Sequence, residues 1–410
     1  MANQFITTSL VLQESLQILK NTLQFARYVS RMYDPQFAVA GAKVGATVNA
    51  RKPPKYMGGY GNGLHLEDIA ETPVPITVDQ LFGVHLTFTD VDLTLSMDRF
   101  RARYLDAAVA RIANEIDRVG LQTMYQSVYN AVGTPATVPA TSSVYLSAGV
   151  ALDNTGTPRR GRNTRSAVIG SQMQATIVAA LQGLFQSAEK IREQYEDGEM
   201  GYSLGLNFSM DQNVATHTVG AFAGTPLVNA ASQTGASLIT DGWTGATGLK
   251  KGDIFTIGSG ATSIYGVKPQ TGSTDGAVST GVLQQFVVTA DSDPSGGAIT
   301  IPISPSIIPG GAFQTVTGSP ADNAAINVLG AASAVSPTGL AFHRDFATLV
   351  TVDLEAVRGV DMMGRINDDD LGIAMRLVRA YDINTNSGLS PPQSNQRYTS
   401  TDFSASLFHV

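Results

Sequence analysis

The stretch Val84–Arg103, VHLTFTDVDLTLSMDRFRAR, changes its hydrophobic period in mid-course, and that change sets the fold class. Its first part, Leu86–Leu95, reads as a strand. Leu86 and Phe88 share one face while Val91, Leu93 and Leu95 share the other, so a bulge near Thr89–Asp90 is needed to reconcile the halves. Its second part opens a helix running from Ser96 or Asp98 to about Asn130. Phe100, Tyr104, Ala108, Ile112, Ile116 and Val119 trace one stripe at spacings of four and three, and Arg103, Asp106, Arg111, Asn114 and Arg118 decorate the other faces. About thirty residues rising ~1.5 Å each make a rod of roughly 45 Å, long for a globular helix. A strand that feeds a spine helix predicts an α+β chain.

Toward the N-terminus, a second amphipathic helix is predicted from about Ser9 to Met32. Leu12, Leu16, Leu19, Leu23 and Ala26 line one face, and Gln13, Gln17, Lys20, Gln24 and Arg27 the other. Thr8 or Ser9 caps its start and Asp34–Pro35 stops it. Its apolar stripe must be buried, either on its own domain or against a neighbouring chain. Between the two helices, residues 45–80 are rich in Gly and Pro. Val48–Pro54 leads to the tip Gly58–Gly63, and the chain returns through Pro73–Val78. Prolines 53, 54, 73 and 75 cannot donate to a ladder, so neither arm is a central strand. A glycine tip between two proline-bearing arms describes a long protruding hairpin, which gains a purpose only against neighbouring subunits.

Toward the C-terminus, Ala167–Ala188 continuing through Glu189–Tyr195 reads as a further helix, with Ile177, Leu181, Leu184 and Phe185 on its apolar side. From Gly201 to Leu340 there is no arginine and no glutamate. Short apolar runs such as Asp253–Ile257 and Gln285–Thr289 stand among Gly, Ser, Thr and Ala, the pattern of short strands joined by turns. A separate small β domain is predicted there. Beyond it, Leu340–Leu354 alternates loosely and Gly372–Tyr381 reads as a strand.

Composition narrows the chemistry. The chain has 410 residues, a formal net charge of −7 and only 15% charged residues, against about a quarter in ordinary soluble domains. With no cysteine, disulfide scaffolds, cysteine nucleophiles and thiolate zinc sites are excluded. The acidic balance argues against a dedicated nucleic-acid binder. No apolar run reaches the ~18 residues of a membrane-spanning helix. Met1–Phe5 lacks the basic start of a signal peptide, so a soluble cytoplasmic product is expected.

No catalytic, cofactor or metal site is predicted. His65, His85, His217, His343 and His409 form no i, i+4 pair, and His343 and Arg344 point to opposite faces of a strand. Asp368–Asp370 and Glu196–Glu199 lack the spaced oxygens of a calcium loop. Gly58–Gly63 and Gly41–Gly45 lack the lysine–hydroxyl ending of a phosphate loop. The one locally basic run, Arg159–Arg165, suits either phosphates or a neighbour's carboxylates.

The order of elements resembles the major capsid proteins of tailed bacteriophages, and more closely the coat-protein family of short-tailed phages that carries an inserted β-barrel domain. The segments that carry the resemblance are Phe37–Val44 (FAVAGAKV) leading into Thr47–Pro53, Val84–Arg103, Met210–Thr218 (MDQNVATHT), Leu249–Ile257 (LKKGDIFTI), Gln284–Thr289 (QQFVVT) and Leu340–Val352 (LAFHRDFATLVTV). It covers most of residues 1–385, and the tail Asp382–Val410 departs from the family pattern. The resemblance implies an N-arm over 1–44, an E-loop over 45–85 and a peripheral domain over 86–149 with its spine helix at 98–130. It further implies an axial domain over 150–229, an inserted β domain over 230–335, and return strands with the tail over 336–410.

The function so implied is a non-enzymatic subunit, without cofactor, that self-assembles as hexamers and pentamers into an icosahedral shell. The partners implied are a separate scaffolding protein, a portal protein and enclosed double-stranded DNA that is not read in sequence, with no membrane. The implied location is the virion capsid, assembled in the host bacterial cytoplasm. Contacts between subunits are expected from Leu12, Leu16, Leu19 and Leu23 on the first helix, from Arg51, Lys52, Lys55, Tyr56 and Tyr60 in the arm, and from Arg159, Arg160 and Arg162. Some related capsids cross-link a lysine to an asparagine. Lys52, Lys55 and Asn62 lie in the arm, but purely non-covalent assembly is expected in this subfamily. The other reading is a tail-tube or decoration subunit. Tube subunits are usually shorter and lack so long a helix.

Overall fold

A computed structural model of the chain describes residues 8–30, 47–51, 56, 73–77, 81–89, 106–159, 164–181, 201–269, 277–351, 362–368, 373–381 and 395–409. Contacts divide the chain into two units, one of Met1–Lys52, Pro73–Gly120 and Asp345–Val410, the other of Pro53–Thr72 and Leu121–Arg344.

In the first unit, helix α1 spans Thr8–Thr22. It ends well short of Met32, and the cause is a side chain. Asp117 accepts the backbone N–H of Gln24 at 2.8 Å and that of Ala26 at 2.9 Å. Those are the donors a continuing helix would send to the carbonyls four residues back. Ile18, Leu19, Leu23, Phe25, Ala26 and Val29 are buried around this turn. Ser30 then bridges Thr348, its N–H donating to Ala347 O at 3.0 Å.

Asp117 sits on helix α2, Asp106–Tyr125, whose Ala108, Val109, Ile112, Ala113 and Ile116 form the buried stripe. The predicted start of this helix lies outside the described residues. Its end comes at Tyr125 rather than Asn130. There the N–H groups of Ser127 and Val128 fall back to carbonyls only three residues away, and Ser127 Oγ donates to Met124 O. Such tightening closes a helix.

The sheet of this unit is organised by one long strand, Asn395–His409. It pairs antiparallel with Leu81–Thr89, with Ile373–Tyr381 and, at its far end, with Ala347–Thr351; Met362–Asp368 lies outside Ile373–Tyr381. The tail that departed from the family pattern therefore supplies the strand to which three others pair directly. Thr89 is in register opposite Asn395, and the pairing shifts register between Ser400 and Phe403. Asp90, where the bulge was expected, is outside the described residues. A two-stranded ribbon, Thr47–Arg51 with Pro73–Thr77, completes the unit. It sets Pro73 opposite Arg51 and Pro75 opposite Asn49.

The second unit contains a small α/β layer and a barrel. Helix α3 spans Ser142–Asn154 and helix α4 spans Ser171–Leu181. Between them Arg165–Ile169 is a strand, not the start of a helix as expected from Ala167 onward. All five of its residues are buried, and a strand covered on both sides shows no alternation to read. It pairs antiparallel with Leu340–His343 and parallel with Leu206–Met210, whose other edge takes Tyr202–Ser203. Tyr145, Ala167, Ile169, Met173, Ile177, Leu206 and Phe208 form the core beneath α3 and α4.

The charge-poor region folds into a six-stranded antiparallel sheet. Its order is Ile326–Val328, Ile254–Ile257, Gln285–Val288, Ile299–Ile307, Gly235–Trp243 and Gly224–Val228. The outer strands meet: Leu227 bridges Ala325, Val228 N–H donates to Ala324 O, and Asn323 N–H to Val228 O, each at 2.9 Å. The sheet is thereby nearly closed into a barrel, which covers part of its outer edges. Inside lie Leu238, Trp243, Phe255, Phe286, Val288, Ile299, Ile301 and Ile303. The strands Gly235–Trp243 and Gly224–Val228 come close at Gly242. Its φ is +75° and a Cβ there would stand 2.4 Å from the Thr225 carbonyl oxygen, so only glycine fits.

Candidate assembly surfaces

The residues expected to meet a neighbouring subunit fall into three groups with different fates. On α1, Leu19 and Leu23 are 0% and 1% exposed and belong to the core of their own unit. That half of the stripe is satisfied internally, where the turn after α1 is clamped by Asp117. Those two leucines are therefore withdrawn from any contact between subunits. Leu16 is half-buried, and Leu12 lies on the helix with its side chain outside the described residues.

In the arm, Arg51 closes the ribbon opposite Pro73, a residue with no N–H to offer. Tyr56 is 46% exposed, a large aromatic left to solvent. Lys52, Lys55 and Tyr60 fall outside the described residues.

The basic run splits by role. Arg159 is exposed and pairs with Asp153 at 3.3 Å, whereas Arg165 is buried, with Nη1 at 2.8 Å from the same carboxylate. Arg165 Nη2 also donates to the Thr157 carbonyl. Asp153 stands in the last turn of α3, where a carboxylate faces the negative end of the helix dipole. The two guanidinium groups offset that. Arg165 is thus a structural cation, and Arg159 is the described member of the run that faces outward. Arg160 and Arg162 lie outside the described residues.

Sequence reasoning missed α3 altogether, and with it an outward face. Leu146 and Val150, one turn apart, are 48% and 53% exposed. The hydroxyl-rich start Thr141–Ser142–Ser143, followed by Tyr145, Gly149 and Leu152 at helical spacing, was the signal available.

The root of the barrel carries a buried polar network that was also missed. Asp253 is 1% exposed. Its Oδ1 lies 2.8 Å from His217 Nε2, and its Oδ2 accepts the N–H groups of Lys250 and Gly220 at 2.8 and 3.0 Å. Tyr125 sets its ring edge against His217, centroids 5.6 Å apart. Strand Thr216–Thr218, entering the barrel, pairs with Val335–Pro337, leaving it. His217, read from sequence as one of five scattered histidines, is thus a tie across the barrel's entrance. His343 ends its strand opposite Arg165, and Arg344 begins a 3₁₀ turn. Among the described residues no three potential metal ligands cluster, and no helix is long and apolar enough to cross a membrane.

No curated protein matches the chain in sequence. Among solved structures it is similar to one from Mycobacterium phage Che8, at 11% identity and TM-score 0.40, over 94% of this chain and 90% of that one. The capsid of cyanophage P-SCSP1u gives 11% and 0.38 over 94% and 84%, and the mature capsid of bacteriophage PhiM1 gives 11% and 0.37 over 100% and 86%. These likenesses are distant, and the assignment rests on sequence. The family model described as P22 coat protein, gene protein 5, matches residues 1–391, and the chain belongs to that family: it is a bacteriophage major capsid protein, a structural component of the virion whose copies build the shell.

Proposed function

We propose that the chain assembles non-covalently as hexamers and pentamers into an icosahedral shell around double-stranded DNA. In this reading a separate scaffolding protein guides assembly, a portal protein occupies one vertex, and the work is done in the host bacterial cytoplasm. The observation that carries it is the family match across residues 1–391. The segments take the roles N-arm (1–44), E-loop (45–85), peripheral domain (86–149), axial domain (150–229), inserted domain (230–335), and return strands with the tail (336–410). Contacts to neighbours are assigned to Arg51, Lys52, Lys55, Tyr56 and Tyr60 of the arm, to Arg159, Arg160 and Arg162, and on α1 to Leu12 and Leu16. The ribbon Thr47–Arg51/Pro73–Thr77 and the exposure of Tyr56 favour the arm as a contact element. Many moderate contacts repeated about symmetry axes give a closed shell its strength. The net charge of −7 suits a container that holds DNA without strong phosphate contacts.

The test is expression of the full chain with and without a scaffolding partner, followed by sedimentation, electron microscopy and denaturing gels. Closed shells of monomer-sized chains are expected. A stable monomer under every condition overturns the assembly reading, and a ladder of covalent multimers overturns the non-covalent one.

A further inference from the structure

Gln285 makes an unusual contact. Its side-chain amide meets the backbone of Ala131 in both directions: Ala131 N–H donates to Oε1 at 2.7 Å, and Nε2 donates to the Ala131 carbonyl at 3.1 Å. Ala131 lies in the segment that leaves α2. Along Gln285–Val288, alternation puts Phe286 and Val288 in the barrel core and Gln285 and Val287 on the outer face. Val287 is nevertheless fully buried. The outer face of this strand is therefore covered, and the Gln285 clasp shows that the segment leaving α2 lies there. Just before the neighbouring strand, Asp253 meets His217, whose ring lies against Tyr125 at the end of the same helix α2. Gly252 stands at φ +95°, where glycine is favoured, and a Cβ there would come within 3.3 Å of the His217 ring.

We propose that Gln285 is a positioning residue for shell assembly. It fixes the barrel on the segment leaving the spine helix, and so sets the orientation in which each subunit presents its inserted domain. The proposal rests on the assembly reading above. A primary amide is the side chain this task requires, because it offers an acceptor and a donor side by side, matching the backbone N–H and C=O of one residue. The His217–Asp253 contact, with Tyr125 of α2 against the His217 ring, is a second polar tie near the end of that helix.

The test compares the full-length chain with Gln285→Ala, Gln285→Met and Gln285→Glu. Hydrogen exchange is measured on folded, unassembled subunits, and assembly is measured at equal folded concentration. In Gln285→Ala and Gln285→Met the Ala131 amide is expected to exchange about tenfold faster, the equivalent of one net hydrogen bond. Amides inside the barrel, such as those of Phe255 and Ile301, keep their protection. Gln285→Glu retains shape and acceptor but sets a carboxylate oxygen against the Ala131 carbonyl, so it is expected to behave like Gln285→Met. All three are expected to assemble more slowly or into less uniform shells than the parent chain. Unchanged exchange at Ala131 in Gln285→Met overturns the clasp. Faster exchange with normal assembly overturns the positioning role, as does a Gln285→Glu chain that matches the parent in both measurements. If the parent chain itself makes no shells, the assembly reading fails while the exchange result still decides the clasp.

Discussion

Replacing Asp117 by alanine tests the account of how the N-terminal helix is held. The carboxylate grips two backbone N–H groups, at Gln24 and Ala26, and itself is 2% exposed. Hydrogen bonds to a charged acceptor contribute ~1.5–3 kcal/mol each, and a buried donor left unpaired costs ~1–3 kcal/mol. Because the Ala26 contact is buried and the Gln24 contact only partly so, the expected loss is about 3–5 kcal/mol for Asp117→Ala. Asp117→Asn keeps one acceptor but turns an amide N–H₂ toward the second donor, so about half of that loss is expected. The chain could recover the donors by extending α1 another turn. That would carry Leu23, Phe25 and Ala26, all at 1% exposure or less, out of their present sites, and the lost burial opposes it at ~1.5–3 kcal/mol per large side chain. Urea unfolding of the unassembled subunit gives the total. Hydrogen exchange over residues 8–30 gives the local part, with Gln24 and Ala26 losing protection together. A destabilisation below about 1 kcal/mol, less than one such bond contributes, with both amides still protected, would refute the clamp.

Other consequences follow from the same geometry. Phe286→Ala empties a fully buried site stacked on Phe255, with centroids 5.8 Å apart, and is expected to cost about 3–5 kcal/mol. Trp243, the single tryptophan, lies 3% exposed in that core, so its fluorescence reports the transition. Arg165→Ala is expected to cost about 2–3 kcal/mol by removing a buried guanidinium that pairs with Asp153 and donates to the Thr157 carbonyl, whereas Arg159→Ala, on an exposed side chain, should change stability by less than about 0.5 kcal/mol; equal effects would contradict the division of the basic run. Glu115 is held below the usual carboxylate range, first by its hydrogen bond from Arg118 and then by Arg111, against burial that works the other way. A depressed carboxyl stabilises above its unfolded value and loses that contribution as pH falls. Glu115→Gln should therefore flatten the acid limb of the stability curve, by under about 1 kcal/mol because both arginines are exposed.

The sequence showed most clearly what periodicity encodes. The stripe Ala108–Ile112–Ile116 named the buried face of α2, and the alternation of Ile299, Ile301 and Ile303 around exposed Thr300 is the same signal in a strand. Where it misled, a single long-range partner intervened. Nothing in residues 23–32 announces that Asp117, from a distant helix, takes the donors of Gln24 and Ala26 and ends α1 early. Ala167–Ile169 looked helical because a strand buried on both sides has no polar face to alternate with. Arg165 read as one more cation in a basic run until Asp153 and Thr157 enclosed it. Histidine spacing could not reveal His217, since its partner Asp253 lies 36 residues away and meets it through tertiary structure alone.

The division between inward and outward groups bears on how such a subunit stays single before it assembles. A free amphipathic helix with four leucines on one face would associate with any copy at hand. Here Leu19 and Leu23 are spent on the subunit's own core, and the barrel's outer strands meet each other, so neither that half of the stripe nor those strand edges are offered. Among the described residues, outward-facing apolar groups include Tyr56 and, one turn apart on α3, Leu146 and Val150. Contacts built from such groups are individually weak. A copy that docks in the wrong place can then leave again, while a copy held on several sides at once stays, because simultaneous contacts multiply. On this argument, strengthening one contact is harmful. Changing Ser147, which lies between Leu146 and Val150 on α3, to leucine should raise self-association of free subunits and lower the yield of closed shells. If Ser147→Leu instead left free subunits monomeric and shells intact, the outward face of α3 would have no part in assembly.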